Sequence, residues 1–259
     1  MFEFIAELSF ADIAPFILVG FAAQIVDGAL GMAFGVISQT MLVSLLGVPP
    51  ATASASVHLV EVFTTATSGA SHIWHRNIDW ALFRRLAPFG IIGGVAGAYA
   101  LSSVDASAAR PFVMLYLAGV GVYLLVRAIR LSRPKFEDPK YTRPLAAAGG
   151  FLDAAGGGGW GPVVTSNLLV QGGDPRTTIG TVNTTEFLLT LSISITFIAT
   201  LGFAAFTVAT VGLIIGGMIA APIGAVLVKR IRPRALLLAV SAVLIATSLF
   251  SLGRAWAIF

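Results

Sequence analysis

The stretches Phe187 to Val228 and Leu236 to Leu252 contain no acidic and no basic residue. A helix of about 20 apolar residues spans a hydrocarbon core of about 30 Å, so the first stretch is long enough to cross twice. Inside lipid each backbone N–H and C=O must be satisfied within the protein, which leaves helices or a closed barrel. The runs are continuous and do not alternate with period two, so helices are expected. Hydrophobic residues make up 57% of the chain and charged residues 11%. That charged share is about half the usual one for a soluble domain. The chain is therefore expected to be an all-α integral membrane protein.

Apolar segments fall at 13–46, 51–72, 82–102, 109–130, 144–171, 177–200, 206–228 and 234–254. The first and fifth exceed one crossing and are interrupted by small residues, GALGMAFG at 28–35 and AAGGGGWGP at 154–162. The two belong to an internal repeat. Asp27, Gly31, Gly35, Gly47 and Pro49 match Asp153, Gly157, Gly161, Gly173 and Pro175 at one constant shift. Ser56, Val57, Glu61 and Thr65 match Thr181, Val182, Glu186 and Thr190, and Ile91 to Gly94 match Ile214 to Gly217. Arg110-Pro111 then matches Arg232-Pro233. The chain divides into a first membrane repeat at 1–130, a charged cytoplasmic linker at 131–143, and a second membrane repeat at 144–259.

Loop charge orients the halves. Cytoplasmic loops carry an excess of Lys and Arg. Basic clusters occupy 75–85, 127–143 and 229–234. All three lie on the cytoplasmic side only if segment five enters and returns on one face, bent at its glycines. By the repeat, segment one does the same from the other face. Three crossings per half is an odd number, so the architecture expected is two inverted repeats, each a broken re-entrant helical hairpin plus three transmembrane helices. The alternative is a parallel repeat in which segments one and five are kinked crossings. Transporters often place their site near the midplane where broken helices meet.

The run Gly156, Gly157, Gly158, Gly159, Trp160 is the most specific local feature. Non-helical backbone at membrane depth is tolerated where it is buried or lines a cavity. A half-helix starting after such a break presents unpaired N–H groups, a natural anion site. Pro162 suits its first turn. Close helix packing by small residues is the competing reading. Asp27 and Asp153 precede the two breaks at matched positions, where they cap local N–H groups or carry function.

Ser54, His58, Glu61, Thr65, Ser68 and His72 are spaced to share one helix face, and Asn183, Glu186 and Thr190 form the corresponding stripe, with Thr181 beside it. Burying an ionised carboxylate is costly, so Glu61 and Glu186 are candidates for proton coupling as well as for interhelical hydrogen bonds. His58 can take up a proton and neutralise Glu61 or an anion, or serve as a hydrogen-bonding partner. Ser38 and Gln39, and Ser166 and Asn167, follow the breaks and offer neutral donors. Substrate contact is thus expected at Gly31, Ser38, Gln39, His58, Gly156 to Gly159, Trp160, Ser166, Asn167, Thr181 and Asn183. His58-x-x-Glu61 and His72-x-x-His75 supply pairs of metal donors without an evident third, and no metal is expected.

The first bend followed by Gly47-Val48-Pro49-Pro50-Ala51-Thr52-Ala53, and a helix ending in His72 and Asn77-Ile78-Asp79-Trp80, resembles the sulfite exporter TauE/SafE family. The second copy, with Gly156 to Gly159, Gly172-Gly173-Asp174-Pro175-Arg176 and Ile214 to Gly217, is similar to that family's second half. The resemblance implies multi-pass residence in a prokaryotic inner membrane and transport, often export, of sulfite, sulfonates and related organosulfur anions. The first bend is poorer in glycine than the family pattern, which suggests that the second half holds substrate more closely. The expected partners are a small anion, the lipid bilayer and protons as coupling ion, with no cofactor and no nucleic acid. A passive anion channel, a divalent-metal transporter and an intramembrane enzyme are the alternatives. The last lacks cysteine and any G-x-S-x-G nucleophile motif.

Overall fold

A computed structural model describes residues 10–30, 32–130, 139–171, 173–203, 208–227 and 233–255. Gly31, most of the expected linker and the bases Lys229, Arg230 and Arg232 lie outside the described residues. The described elements are helical throughout, without a strand among them. They are α1 (Phe10–Leu30), α2 (Phe34–Ser44), α3 (Pro50–Trp74), α4 (Trp80–Ser102) and α5 (Ala106–Ile129). Then follow α6 (Thr142–Gly156), a π-helical turn (Trp160–Thr165), α7 (Ser166–Val170), α8 (Pro175–Leu201), α9 (Val208–Leu227) and α10 (Pro233–Ala255).

Segments one and five are each broken, as their small residues predict. The first break separates α1 from α2 around Met32 and Ala33. The second separates α6 from the π turn at Gly157, Gly158 and Gly159. Gly157 has φ +77° and Gly158 φ +145°, values a side chain rarely adopts, so the chain stops its helix there with little strain. Where the proline suggested a first α-helical turn, the returning segment begins as a wider π turn containing Pro162. Proline has no N–H to donate, and the widened turn loosens the ladder at that point. The Asn167 side-chain amide donates to the Val163 carbonyl at 2.7 Å and satisfies one acceptor of the turn.

Among the described residues, three helices carry spans long and apolar enough to cross a membrane: Phe10–Asp27, Ala106–Ile129 and Thr177–Leu201. Shorter apolar cores occur in α9 (Val208–Ala220) and α10 (Ser241–Phe250). α3 is long enough, at 25 residues, but gives one face to polar side chains.

α1 packs along α9 and α6 packs along α4, so the opening helix of each half lies on the fourth helix of the other. α5 pairs with α10, and α3 with α8. Each pair maps onto an observed pair when the halves are exchanged. Small residues permit the close approach, as expected for helices in lipid, where area burial drives nothing and dispersion contacts decide. The two breaks and the polar faces of α3 and α8 end up at the centre.

Candidate functional site

α2 starts beside α6. A side chain on Gly35 would lie 3.2 Å from both the Gly158 Cα and the Glu61 Oε1. One on Gly161 would lie 2.8 Å from the Met32 Cβ. The two breaks therefore touch, with Glu61 of α3 against them. Beside this junction is a cavity of about 320 Å³. The first break and its flanks contribute Asp27, Met32, Ala33, Phe34, Gly35 and Val36, and the second contributes Asp153, Gly158, Gly161 and Pro162. α3 contributes Glu61, Thr64, Thr65, Ser68 and His72; α8 contributes Ile179, Asn183 and Glu186; Gln24 completes the wall. Four carboxyl groups, from both halves, line this one space.

Asp153 is bonded on three sides. Its Oδ1 accepts the N–H of Gly159 at 2.6 Å and of Trp160 at 2.9 Å, which caps the returning segment. Its Oδ2 lies 3.2 Å from the His58 Nε2. The His58 Nδ1 is 2.7 Å from the Ser54 carbonyl oxygen, and a carbonyl accepts only, so that nitrogen carries a proton. The Nε2–Oδ2 contact then requires a second proton, on the imidazole or on the carboxyl. Asp27 repeats part of this arrangement: its Oδ1 accepts the N–H of Phe34, the counterpart of Trp160, at 3.3 Å.

The pattern of sulfite exporter TauE/SafE proteins matches residues 16–251. The chain belongs to the sulfite exporter TauE/SafE family. It is also 41% identical over 249 residues, 93% of this chain and 83% of the other, to the probable membrane transporter protein YtnM of Bacillus subtilis (strain 168). No solved structure matches. As a TauE/SafE member the chain is a multi-pass cell-membrane transporter and not an enzyme.

The TauE/SafE cavity gathers only some of the residues that the sequence singles out. Asp27, Glu61, Asp153, Glu186, Gly158 and Asn183 line it. His58 faces Asp153 and Ser54, not Glu61. The other glycines of the second break serve packing and the turn. A side chain on Gly156 would strike the Tyr116 ring, one on Gly157 the Gln39 side chain, and one on Gly159 the Asp153 backbone. Trp160 is fully buried, and its Nε1 donates to the Val182 carbonyl at 3.2 Å. Ser38 is fully buried away from the cavity, and Gln39 gives its amide to the Pro50 carbonyl. Thr181 accepts the Asp79 N–H at 2.9 Å, and Asn167 is spent on Val163.

Two contacts in this TauE/SafE site escape the sequence. Arg127, counted among the loop charges, lies on α5; its guanidinium donates to Ser166 and lies 3.6 Å from the Met32 sulfur. It thereby touches both hairpins. The Tyr116 hydroxyl donates to the Gly158 carbonyl at 3.0 Å and holds the break from behind. Neither has a local sequence signal, because each acts across a helix interface. Among the described residues no three His, Cys, Asp or Glu side chains are placed to hold one metal ion, the cavity carboxyls included. The first break supplies more of the cavity wall than the glycine-rich second one does.

Proposed function

We propose that the chain is a secondary transporter of small organosulfur anions such as sulfite or sulfonates, working as an exporter across the prokaryotic inner membrane and coupled to protons through Glu61 and Glu186. The observation that carries this reading is the shared cavity. Two helix breaks and two matched glutamates, one of each per half, border the same space. The N–H groups of Gly35 and Val36 fall in the first turn of α2, where no intrahelical acceptor exists, and both residues border the cavity. They give the anion its partners. Ionised carboxylates around the same space would repel it, and protonation removes that repulsion. Anion and proton then enter together and leave together. Net direction follows the product of their concentrations on the two faces, and export follows when the anion accumulates inside.

The same reading takes 1–130 and 144–259 as inverted repeats joined by 131–143, each with a re-entrant hairpin and three crossings. Its support is the pairing of α1 with α9 and of α6 with α4, which exchange when the halves are exchanged. The basic 75–85 loop then puts the His72 end of the cavity on the cytoplasmic side.

Radiolabelled sulfite flux in proteoliposomes, with and without a pH gradient, tests the proposal. Saturable flux that responds to the gradient is expected, and that response is expected to disappear in Glu61→Gln and Glu186→Gln. Flux indifferent to the gradient and to both substitutions removes the coupling; absence of saturable sulfite or sulfonate flux removes the substrate class.

A further inference from the structure

The repeat lets each residue near the cavity be compared with its counterpart, and the two ends of the α3–α8 pair differ systematically. Ser54, His58, Ile193 and Phe197 are fully buried. Their counterparts at the repeat's shift are Ile179, Asn183, Ser68 and His72. All four of these line the cavity. One end is thus sealed and the matching end is open. At the sealed end His58 bonds Asp153 and its ring lies 6.4 Å from the Phe197 ring. At the open end Asn183, the counterpart of His58, does not bond Asp27, the counterpart of Asp153; its amide goes to the Ser68 hydroxyl at 3.1 Å.

The helices behind the breaks carry a second asymmetry. A side chain on Gly93 would meet the carbonyl oxygen of Ala147, whereas one on its counterpart Gly216 would meet that of Ile17. The counterpart of Ala147 is Phe21, not Ile17. The contact is displaced by one helical turn, roughly 6 Å at 1.5 Å per residue. Gly150 and Gly20 repeat the offset. Gly150 meets the Gly90 carbonyl, and Gly20, rather than Gln24, meets the Leu213 carbonyl that corresponds to it. α6 therefore sits on α4 one turn away from where α1 sits on α9. Packed helices have discrete registers of this kind, and a one-turn shift is a known form of switching between them.

We infer that His58 and Asn183 are alternating gate partners of Asp153 and Asp27, and that transport exchanges the present arrangement for its counterpart. In the exchanged state Asn183 bonds Asp27, His58 leaves Asp153, and the α1–α9 and α6–α4 registers trade places. Ile179, Asn183, Ser68 and His72 become sealed, and the cavity opens past Ser54, His58, Ile193 and Phe197. Because the same sequence motif is packed both ways in one chain, both packings are accessible to it. The inference rests on the cavity being the transport site and on the inverted relation of the halves.

The chain has no cysteine, so single cysteines report without background. Ser68→Cys and Ile193→Cys, each in the full chain, are probed with a membrane-impermeant maleimide in right-side-out and in everted vesicles. Ser68→Cys is expected to react from one face and Ile193→Cys from the opposite face. Adding His58→Ala is expected to raise the rate at Ile193→Cys about tenfold and lower that at Ser68→Cys. An Asp27→Cys/Asn183→Cys pair is expected to cross-link under oxidant and to leave Ile193→Cys, in the triple variant, permanently reactive. Ile193→Cys inert from both faces, in vesicles that still carry sulfite, overturns the gate and leaves the transport reading standing. Opposite-face reactivity without sulfite flux sinks the substrate instead.

Discussion

Gly93 of α4 rides directly on the Ala147 carbonyl of α6: a Cβ added there would lie 2.0 Å from that oxygen. Backbone cannot retreat as a flexible side chain can, so the helices must part. Gly216 stands in the same relation to Ile17, also at 2.0 Å. Gly93→Ala and Gly216→Ala are therefore each expected to lower stability by about 1–3 kcal/mol, the usual cost of overpacking. Gly119→Ala, with open space around its Cα, is expected to change stability little. Thermal unfolding in detergent, compared across the three variants, checks this; equal behaviour of Gly93→Ala and Gly119→Ala would refute it.

Much of this was legible because the bilayer restricts the choice of backbone and because duplication writes the pattern twice. The breaks at Gly157 and near Met32 follow from small residues in over-long apolar runs. The joint placement of Glu61 and Glu186 follows from the repeat. The direction in which a given side chain points does not. Gly156 and Gly159 read like a ligand loop, yet one makes room for Tyr116 and the other admits the Asp153 cap. Arg127 read as a loop charge because it lies near the end of an apolar run, and only packing of α5 against both breaks reveals its reach to Ser166. The π turn is a local widening at Pro162, which has no N–H to donate, and no propensity scale resolves it from an α-helical first turn.

Asp153 meets the turn and His58 with different oxygens. Asp153→Ala leaves the Gly159 and Trp160 N–H groups without their acceptor, and a buried orphaned donor costs about 1–3 kcal/mol. Asp153→Asn keeps one carbonyl oxygen for them. Asp153→Asn is therefore expected to fold near wild-type stability, with Asp153→Ala distinctly below it in the same melting assay. Matching losses in both variants would show that the charge, and not the cap, stabilises the break.

Arg127 links the α5 helix to both hairpins through Ser166 and Met32. Both contacts come from one guanidinium nitrogen, Nη1, and a lysine ammonium, shorter in reach and more strongly hydrated, is costlier to hold at that part-buried position. Arg127→Lys and Arg127→Gln are expected to reduce thermal stability by about 1–3 kcal/mol, within the range for losing a charge-assisted bond. Ser166→Ala, which removes one contact only, is expected to cost less. Sulfite flux is expected to fall in the same order, and a ranking in which Ser166→Ala is the most damaging would contradict the linking role.

Gly90 and Trp160 test how the second break is anchored. The fully buried indole lies against α4, and a Cβ on Gly90 would sit 2.7 Å from its Cη2 and 2.9 Å from its Cζ3. Gly90→Ala alone is expected to destabilise by about 1–3 kcal/mol through that collision. Trp160→Phe removes those two atoms together with the N–H bond to Val182, so it is costly by itself as well. In the double variant the alanine methyl falls into the space that the missing ring atoms leave. Its loss is therefore expected to be smaller than the sum of the two single losses, with a coupling of about 0.5–3 kcal/mol, as found for residues in direct contact. Melting of the four proteins measures that coupling. Strict additivity would mean that the break yields around Trp160 and is not held by it.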